Sequence, residues 1–278
     1  MERALHELLE SLGLAPNGEP QPLSGGDIAE VAWLDTRQGP VVVKRDSHER
    51  IEAEADGLHA LHQAGTRLIV PEVLGTVDGW MVMEALESDT GSTHSAITLG
   101  EGLRELHAVT GDTHGWARDN FCGLTPQSNT PIANGRAFQR ERRLVPMAHA
   151  CQEKGLMDTA LRERIEAVAD ALERWLPDTR ASLVHGDLWS GNVLQTRRGP
   201  AIIDPAIYRH YPEVDLAMLT LFGSPGEAFF EAYWNGRRPD DWPRRQALFQ
   251  LYPLLNHLLL FGGTYRSGVE RCVALLEG

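Results

Sequence analysis

An aspartate and an asparagine five positions apart, Asp187 and Asn192, stand in the run His185-Gly186-Asp187-Leu188-Trp189-Ser190-Gly191-Asn192. A strand-like apolar stretch, Ser182-Leu183-Val184, leads into that run, and a second, Ala201-Ile202-Ile203, ends in Asp204. Phosphoryl transfer from magnesium-ATP asks little covalent chemistry of a protein. It needs a carboxylate to orient or deprotonate the attacking hydroxyl, oxygen ligands for the metal, and a lysine on the α/β-phosphates. Asp187 suits the first role. Asn192 and Asp204 suit the second, because magnesium takes a few carboxylate or amide oxygens beside those of the phosphates. A lone Asp after Gly usually makes a turn. The joint pattern, with a strand-ending Asp twelve positions after Asn192, is what makes the signal specific.

Lys44 ends the run Val41-Val42-Val43 and is the candidate phosphate lysine; an edge lysine facing solvent is the competing reading. A helix glutamate must hold such a lysine, and Glu52 and Glu54 compete. Ile51, Glu54, Leu58 and Leu61 share one helical face, which puts Glu54 on the inward stripe. A carboxylate buried there needs a partner, and Lys44 is the evident one. Gly25 and Gly26, in Ser24-Gly25-Gly26-Asp27, could cradle phosphates with backbone N–H groups, although a Gly-Gly pair alone more often marks a turn. Met83-Glu84-Ala85-Leu86 could offer extended backbone to a purine. His185 reads as a brace for the loop rather than a base. Trp189 could stack on a sugar face or a substrate amine.

These residues need elements to position them. Leu5, Leu8, Leu9 and Leu12 recur at helical spacing, with Gly13 placed to end the helix. Glu30–Asp35 and Val41–Arg45 read as a hairpin, Glu49–Ala64 as a helix, and Val70–Gly75 and Trp80–Glu84 as two more strands. Beyond the polar stretch Glu87–Ser92 helices dominate, with stripes at Leu99, Leu103 and Leu106 and, over four turns, at Leu161, Ile165, Val168, Leu172 and Trp175. A Gly/Asn/Pro-rich loop from Trp116 to Pro131 lies between those two stripes. Further stripes run through Leu216–Leu221 and Leu251–Leu260. The expected class is α+β: a β-rich nucleotide-binding region over 1–86 and a larger, mostly helical region over 87–278 with the catalytic loop and the acceptor site.

The 278 residues carry a formal net charge of −13, which argues against duplex nucleic acid as a partner. Three separated cysteines in no zinc spacing suit a reducing cytoplasm. The first residues lack a signal-peptide apolar core, and no apolar run is long enough to span a bilayer. A serine-hydrolase reading fails for want of a nucleophile elbow.

With these residues in view, the chain resembles the fructosamine/ketosamine-3-kinase family, within the aminoglycoside phosphotransferase and choline kinase-like group of the protein-kinase fold. The likeness runs over nearly the whole chain. It is carried by Leu23–Gly26, Val42–Lys44, Glu52–Ala55, Met83-Glu84, Gly115–Phe121, Thr125–Gln127, Glu141–Leu144, His185–Asn192, Ile203–Ala206, Asp215–Met218 and Tyr252–Gly263. The resemblance implies a bilobal kinase-like fold and ATP-dependent phosphorylation of the sugar 3-hydroxyl of ketosamines, free or on protein lysines. The product is unstable and releases the amine, so the implied role is deglycation. Position by position it implies Asp187 as base, Asn192 and Asp204 as magnesium ligands, Lys44 and Glu54 as the phosphate contact and its partner, and Asp215 as a support for the catalytic loop. Some members carry a cysteine where this chain has Asp27, so thiol control through that loop does not transfer. Only about ten residues separate Asp204 from Asp215, too few for a long activation loop. Another acceptor on the same fold (an aminoglycoside, choline or other alcohol) is the near alternative; a catalytically silent nucleotide binder is the distant one.

Overall fold

The computed structural model describes residues 2–23, 29–89 and 94–278. The glycine-rich segment expected at Ser24–Asp27, with Gly25 and Gly26, lies outside the described residues. The fold is α+β and protein-kinase-like. It opens with helix α1 (Arg3–Ser11), strands β1 (Gln21–Pro22), β2 (Glu30–Leu34) and β3 (Val41–Arg45), helix α2 (His48–Gln63), and strands β4 (Val73–Val77) and β5 (Trp80–Glu84). The strands form one antiparallel sheet in the order β1-β2-β3-β5-β4. Side chains alternate across a strand, so Val41, Val43 and Val82 face the leucines of α1. Val42, Met81 and Met83 face the opposite way, toward the core shared with Ile51, Leu58 and Leu61 of α2. Lys44, in register with Met81, falls on that second face. The β4 strand begins later than the hydrophobic pattern suggests, because Pro71 has no N–H to give a ladder.

Helix α3 (His94–His107) starts the larger region, followed by β6 (Thr110–Gly111) and a hairpin, β7 (Asn120–Cys122) with β8 (Thr125–Gln127). That hairpin lies inside the segment read from sequence as an irregular loop. Helix α4 (Gly135–Phe138) continues through a π-helical stretch, Gln139–Leu144, into α5 (Val145–Glu153), and α6 (Thr159–Asp170) follows. The stripe expected to run to Trp175 breaks at Ala171. Leu172 stays buried in a 3-10 turn, and only the α-helical hydrogen bonding ends early.

Strand β9 (Ala181–Val184) delivers the His185–Asn192 loop, and β10 (Val193–Thr196) with β11 (Gly199–Ile202) forms the hairpin that leads to Asp204. Strand β12 (Tyr208–His210) pairs with β9, and α7 (Glu213–Leu219), α8 (Glu227–Tyr233), α9 (Trp242–Phe261) and α10 (Arg266–Glu277) complete the chain. The main helical core gathers Leu161, Ile165 and Val168 of α6 against Leu248, Leu251, Leu255 and Leu258 of α9. No helix among the described residues is long and apolar enough to cross a membrane.

Candidate active site

Lys44 reaches out of β3 to two carboxylates. Its Nζ lies 2.8 and 2.7 Å from the two carboxylate oxygens of Glu54 and 2.9 Å from Asp204 Oδ1. Of the two glutamates in α2, Glu54 makes this pair, while Glu52 accepts the Thr76 hydroxyl at 2.8 Å. Burial alone would lower the Lys44 pKa, but Glu54 first and Asp204 second outweigh it and hold the ammonium firmly charged. Burial pushes Glu54 up to about 7 against the pull of Lys44. Asp204 is also penalised by burial, yet Lys44 holds it below the usual carboxylate range. The Asp204 side chain keeps 46 % exposure against 7 % for Lys44, so it faces the cleft. Its φ of +55° turns the chain there, a conformation Asp tolerates better than most residues.

The loop that carries Asp187 hangs from Asp215, at the first turn of α7. Asp215 is fully buried, and its two oxygens accept the backbone N–H groups of His185 at 2.7 Å and Gly186 at 2.9 Å. His107 Nε2, 3.1 Å from Asp215 Oδ2, completes the shell, while His107 Nδ1 meets the Tyr233 hydroxyl at 2.7 Å. Burial works against the Asp215 charge, but His107 and these donors hold its pKa low. His185 donates from Nε2 to the Ile203 carbonyl at 2.9 Å, which leaves Nδ1 to accept the Asp187 N–H at 3.3 Å. Burial lowers the His185 pKa, so the ring is a neutral brace. Gly186 has φ +85°, and a Cβ there would sit 2.0 Å from the Ala206 carbonyl oxygen, so only glycine fits.

Asp187 itself is pushed up to about 7, first by burial and then by the charge of Asp204. Asn192 donates from Nδ2 to the Asp187 carbonyl at 2.9 Å, which fixes its amide with the oxygen turned the other way. Trp189 is 39 % exposed, with its ring centroid 6.4 Å from that of Phe222, which in turn lies 5.1 Å from the His257 ring. At the end of β5, Met83 is buried, and the Glu84 N–H is spent on the Glu72 carbonyl at 2.8 Å. The Glu84 carboxylate pairs with Arg198. Ala85 and Leu86 run on half-buried, out of the strand.

The structure thus brings Lys44, Glu54 and Asp204 together across a cleft and hangs Asp187 and Asn192 from the adjacent loop. Sequence reasoning missed His107, Phe222 and His257, since each reaches the site from a distant element. The arrangement of strand lysine, helix glutamate, loop aspartate and strand-ending aspartate defines a phosphotransferase of the protein-kinase-like fold with an alcohol acceptor.

The fructosamine kinase family model matches residues 2–277, and the chain belongs to that family. A probable ketoamine kinase of Synechocystis is 35 % identical over 266 residues, covering 91 % of this chain and 88 % of that protein. A Thermobifida fusca crystal structure assigned as a fructosamine-3-kinase superposes with a TM-score of 0.89 at 29 % identity, covering 98 % of this chain and 97 % of that one. An aminoglycoside phosphotransferase is similar in fold alone, with a TM-score of 0.67 at 16 % identity over 98 % of this chain and 97 % of that one.

Proposed function

We propose that this chain is an ATP-dependent kinase that phosphorylates the sugar 3-hydroxyl of ketosamines, the adducts that sugars form with small amines or protein lysines. The supporting observation is the Lys44–Glu54–Asp204 cluster facing the loop of Asp187 and Asn192. Asp187 accepts the proton of the sugar hydroxyl as that oxygen attacks the γ-phosphorus, and the bond from phosphorus to the β-phosphate bridging oxygen breaks to leave ADP. Its elevated pKa suits a group that must take up a proton near neutrality. Lys44, held by Glu54, contacts the α/β-phosphates. Met83, Glu84, Ala85 and Leu86 border the purine, and Gly25 and Gly26 the phosphates.

Asn192 and Asp204 are the residues that would hold magnesium. One amide oxygen and one cleft-facing carboxylate are the hard, sparse donors that ion takes alongside phosphate. When bound it neutralises charge on the β- and γ-phosphates. Trp189 offers a half-exposed ring beside Asp187 for the sugar or the amine it carries. His185 and Asp215 support the loop. Phosphorylated ketosamines release the free amine, which makes the role deglycation in the cytoplasm.

The test is ADP release over a panel of ribulosamines, fructosamines, a glycated peptide, aminoglycosides and choline. Turnover of a ketosamine with none of the antibiotics supports the reading. Turnover confined to an aminoglycoside or choline overturns it.

A further inference from the structure

Helix α2 carries Glu54, and it touches the larger region as well as the sheet. The Arg50 guanidinium lies 5.7 Å from the centroid of the Phe121 ring. Asp56 Oδ2 accepts the indole N–H of Trp116 at 2.7 Å. Gly57 faces the residues that follow Asp204: a Cβ there would sit 2.9 Å from Pro205 Cγ and 3.4 Å from Ile207 Cβ. Glycine is a poor helix former, yet here the missing side chain lets α2 close on the segment leaving Asp204. Arg50, Glu54 and Gly57 stand at i, i+4 and i+7 and share one face. Glu54 therefore lies between two points of contact with the larger region.

The sheet alone does not fix α2. An open cavity of about 300 Å3 borders the helix, lined by its Glu52, Asp56 and His59, by Gly75 and Thr76 of β4, and by Arg118. A helix in a close-packed interior has nowhere to go, whereas one beside open volume has room to shift.

Trp116, by contrast, is anchored on every side that the backbone offers. Its own N–H donates to the Asn129 carbonyl at 2.8 Å. Gly115 donates to the Arg209 carbonyl at 2.8 Å and accepts the Arg209 N–H at 2.9 Å. The Arg209 guanidinium lies 4.8 Å from the centroid of the Trp116 ring, close enough for a cation–π contact. Gly111 leaves room for that arginine, since a Cβ there would fall 2.7 Å from Arg209 Cδ. Arg209 belongs to β12, which pairs with β9, the strand that runs into the His185–Asn192 loop. Hydrogen bonds thus run without a break from β9 through β12 and Gly115-Trp116 to Asp56. Glu54, two residues before Asp56 in the same helix, bonds Lys44. An indole N–H only donates and a carboxylate only accepts, so the Trp116–Asp56 bond has one sense and carries charge assistance.

We infer that Trp116 and Asp56 are positioning residues for the use of ATP: their hydrogen bond holds α2, and with it the Glu54–Lys44 pair, against the β9–β12 pair that brackets Asp187 and Asp204 in the chain. The inference rests on Lys44 as the phosphate contact. A reacting group displaced by about 1 Å from a distance can cost about a hundredfold in rate. Loss of the Trp116–Asp56 bond falls on the nucleotide and leaves the acceptor side in place.

The experiment measures steady-state constants for Trp116→Phe, Asp56→Asn, Asp56→Leu and the Trp116→Phe/Asp56→Leu double variant. It uses whichever acceptor of the panel turns over, or water as the acceptor if none does, so the acceptor's identity does not decide the outcome. Nucleotide-binding stoichiometry normalises each rate to folded enzyme. Phenylalanine keeps a ring for Arg209 and removes the donor; asparagine keeps an accepting oxygen and leucine has none. Trp116→Phe and Asp56→Leu are each expected to lower kcat/KM for ATP about tenfold, with the acceptor KM within about threefold of wild type. Asp56→Asn stays within about threefold of wild type, and the double variant loses no more than the worse single one. If Asp56→Leu does not fold, Asp56→Ala is read in its place. Normalised kcat/KM for ATP unchanged in either single variant, losses that multiply in the double variant, asparagine as damaging as leucine, or a loss confined to the acceptor KM overturns the inference. Lys44→Met in the same assay separates the two claims. If it keeps a normal kcat/KM for ATP, the lysine assignment falls and takes the inference with it; if it loses activity while the Trp116 and Asp56 variants behave as wild type, only the inference falls.

Discussion

Charge is handled in opposite ways on the two sides of the His185–Asn192 loop. In the cleft, Lys44, Glu54 and Asp204 neutralise one another directly, and Asp204 stays nearly half exposed. Beneath the loop, Asp215 and Arg143 are fully buried, and most of their partners are neutral: backbone N–H groups, carbonyls, an asparagine and aromatic faces. The first arrangement can change partners, because a phosphate or a cation can replace a cleft-facing ion at little cost. The second cannot, because removing any member strands a desolvated charge. The cleft is built to exchange ligands and the foundation to stay put.

Variants can break that contrast, and the largest effect belongs to the group both sides serve. Asp187→Asn should reduce kcat by about a thousandfold or more with nucleotide binding retained, seen in ADP release and in ATP-analogue titration. Near-normal turnover would remove Asp187 from the chemistry. Lys44→Met should lower kcat/KM for ATP about a hundredfold without lowering the melting temperature, since Glu54 can take up a proton when its partner goes. An unchanged kcat/KM would make the lysine purely structural. Asp215→Asn should do the reverse and cost about 3 kcal/mol in denaturant unfolding, because one of its oxygens becomes a second donor facing an N–H. Equal stability would show that the foundation yields as the cleft does.

The smallest expected effect is a pH dependence below the loop. His114 and His210 meet Nδ1 to Nδ1 at 2.8 Å, and burial lowers both pKa values, with Arg143 adding to the effect on His210 and Asp178 and the Thr179 carbonyl opposing it on His114. Because the folded values lie below the unfolded value of about 6.5, the unfolded chain takes up protons first as pH falls. Their contribution is complete above about pH 6.5 and shrinks on acidification, by at most about 1.4 kcal/mol per histidine per pH unit. Urea unfolding at pH 7.5 and 5.0 measures it. His210→Gln should flatten the slope, and an unaltered slope would assign the acid sensitivity elsewhere.

How much of this was legible beforehand follows the range of each interaction. The run from His185 to Asn192, the strand ending in Asp204, Lys44 after three valines and Glu54 on its helical stripe were readable because period-2 and period-3.6 alternation are local properties. The choice of Glu54 over Glu52 came from that periodicity alone, and the 2.7 Å pair with Lys44 agrees with it. The loop from Trp116 to Pro131 was read as irregular because its strands are only three residues each, too short to show alternation.

By itself, then, the amino-acid sequence determined which groups could carry out phosphoryl transfer and which local elements present them. Tertiary structure alone decided what each group feels. Asp187 rises toward neutrality because burial and Asp204 act on it together, although Asp204 lies in another strand. His107 meets Asp215 across more than a hundred residues of chain, and Arg143 finds its oxygen acceptors on a different segment. Hydrogen bonds and desolvation act over a few ångströms in space whatever the separation in sequence, so no spacing rule encodes them.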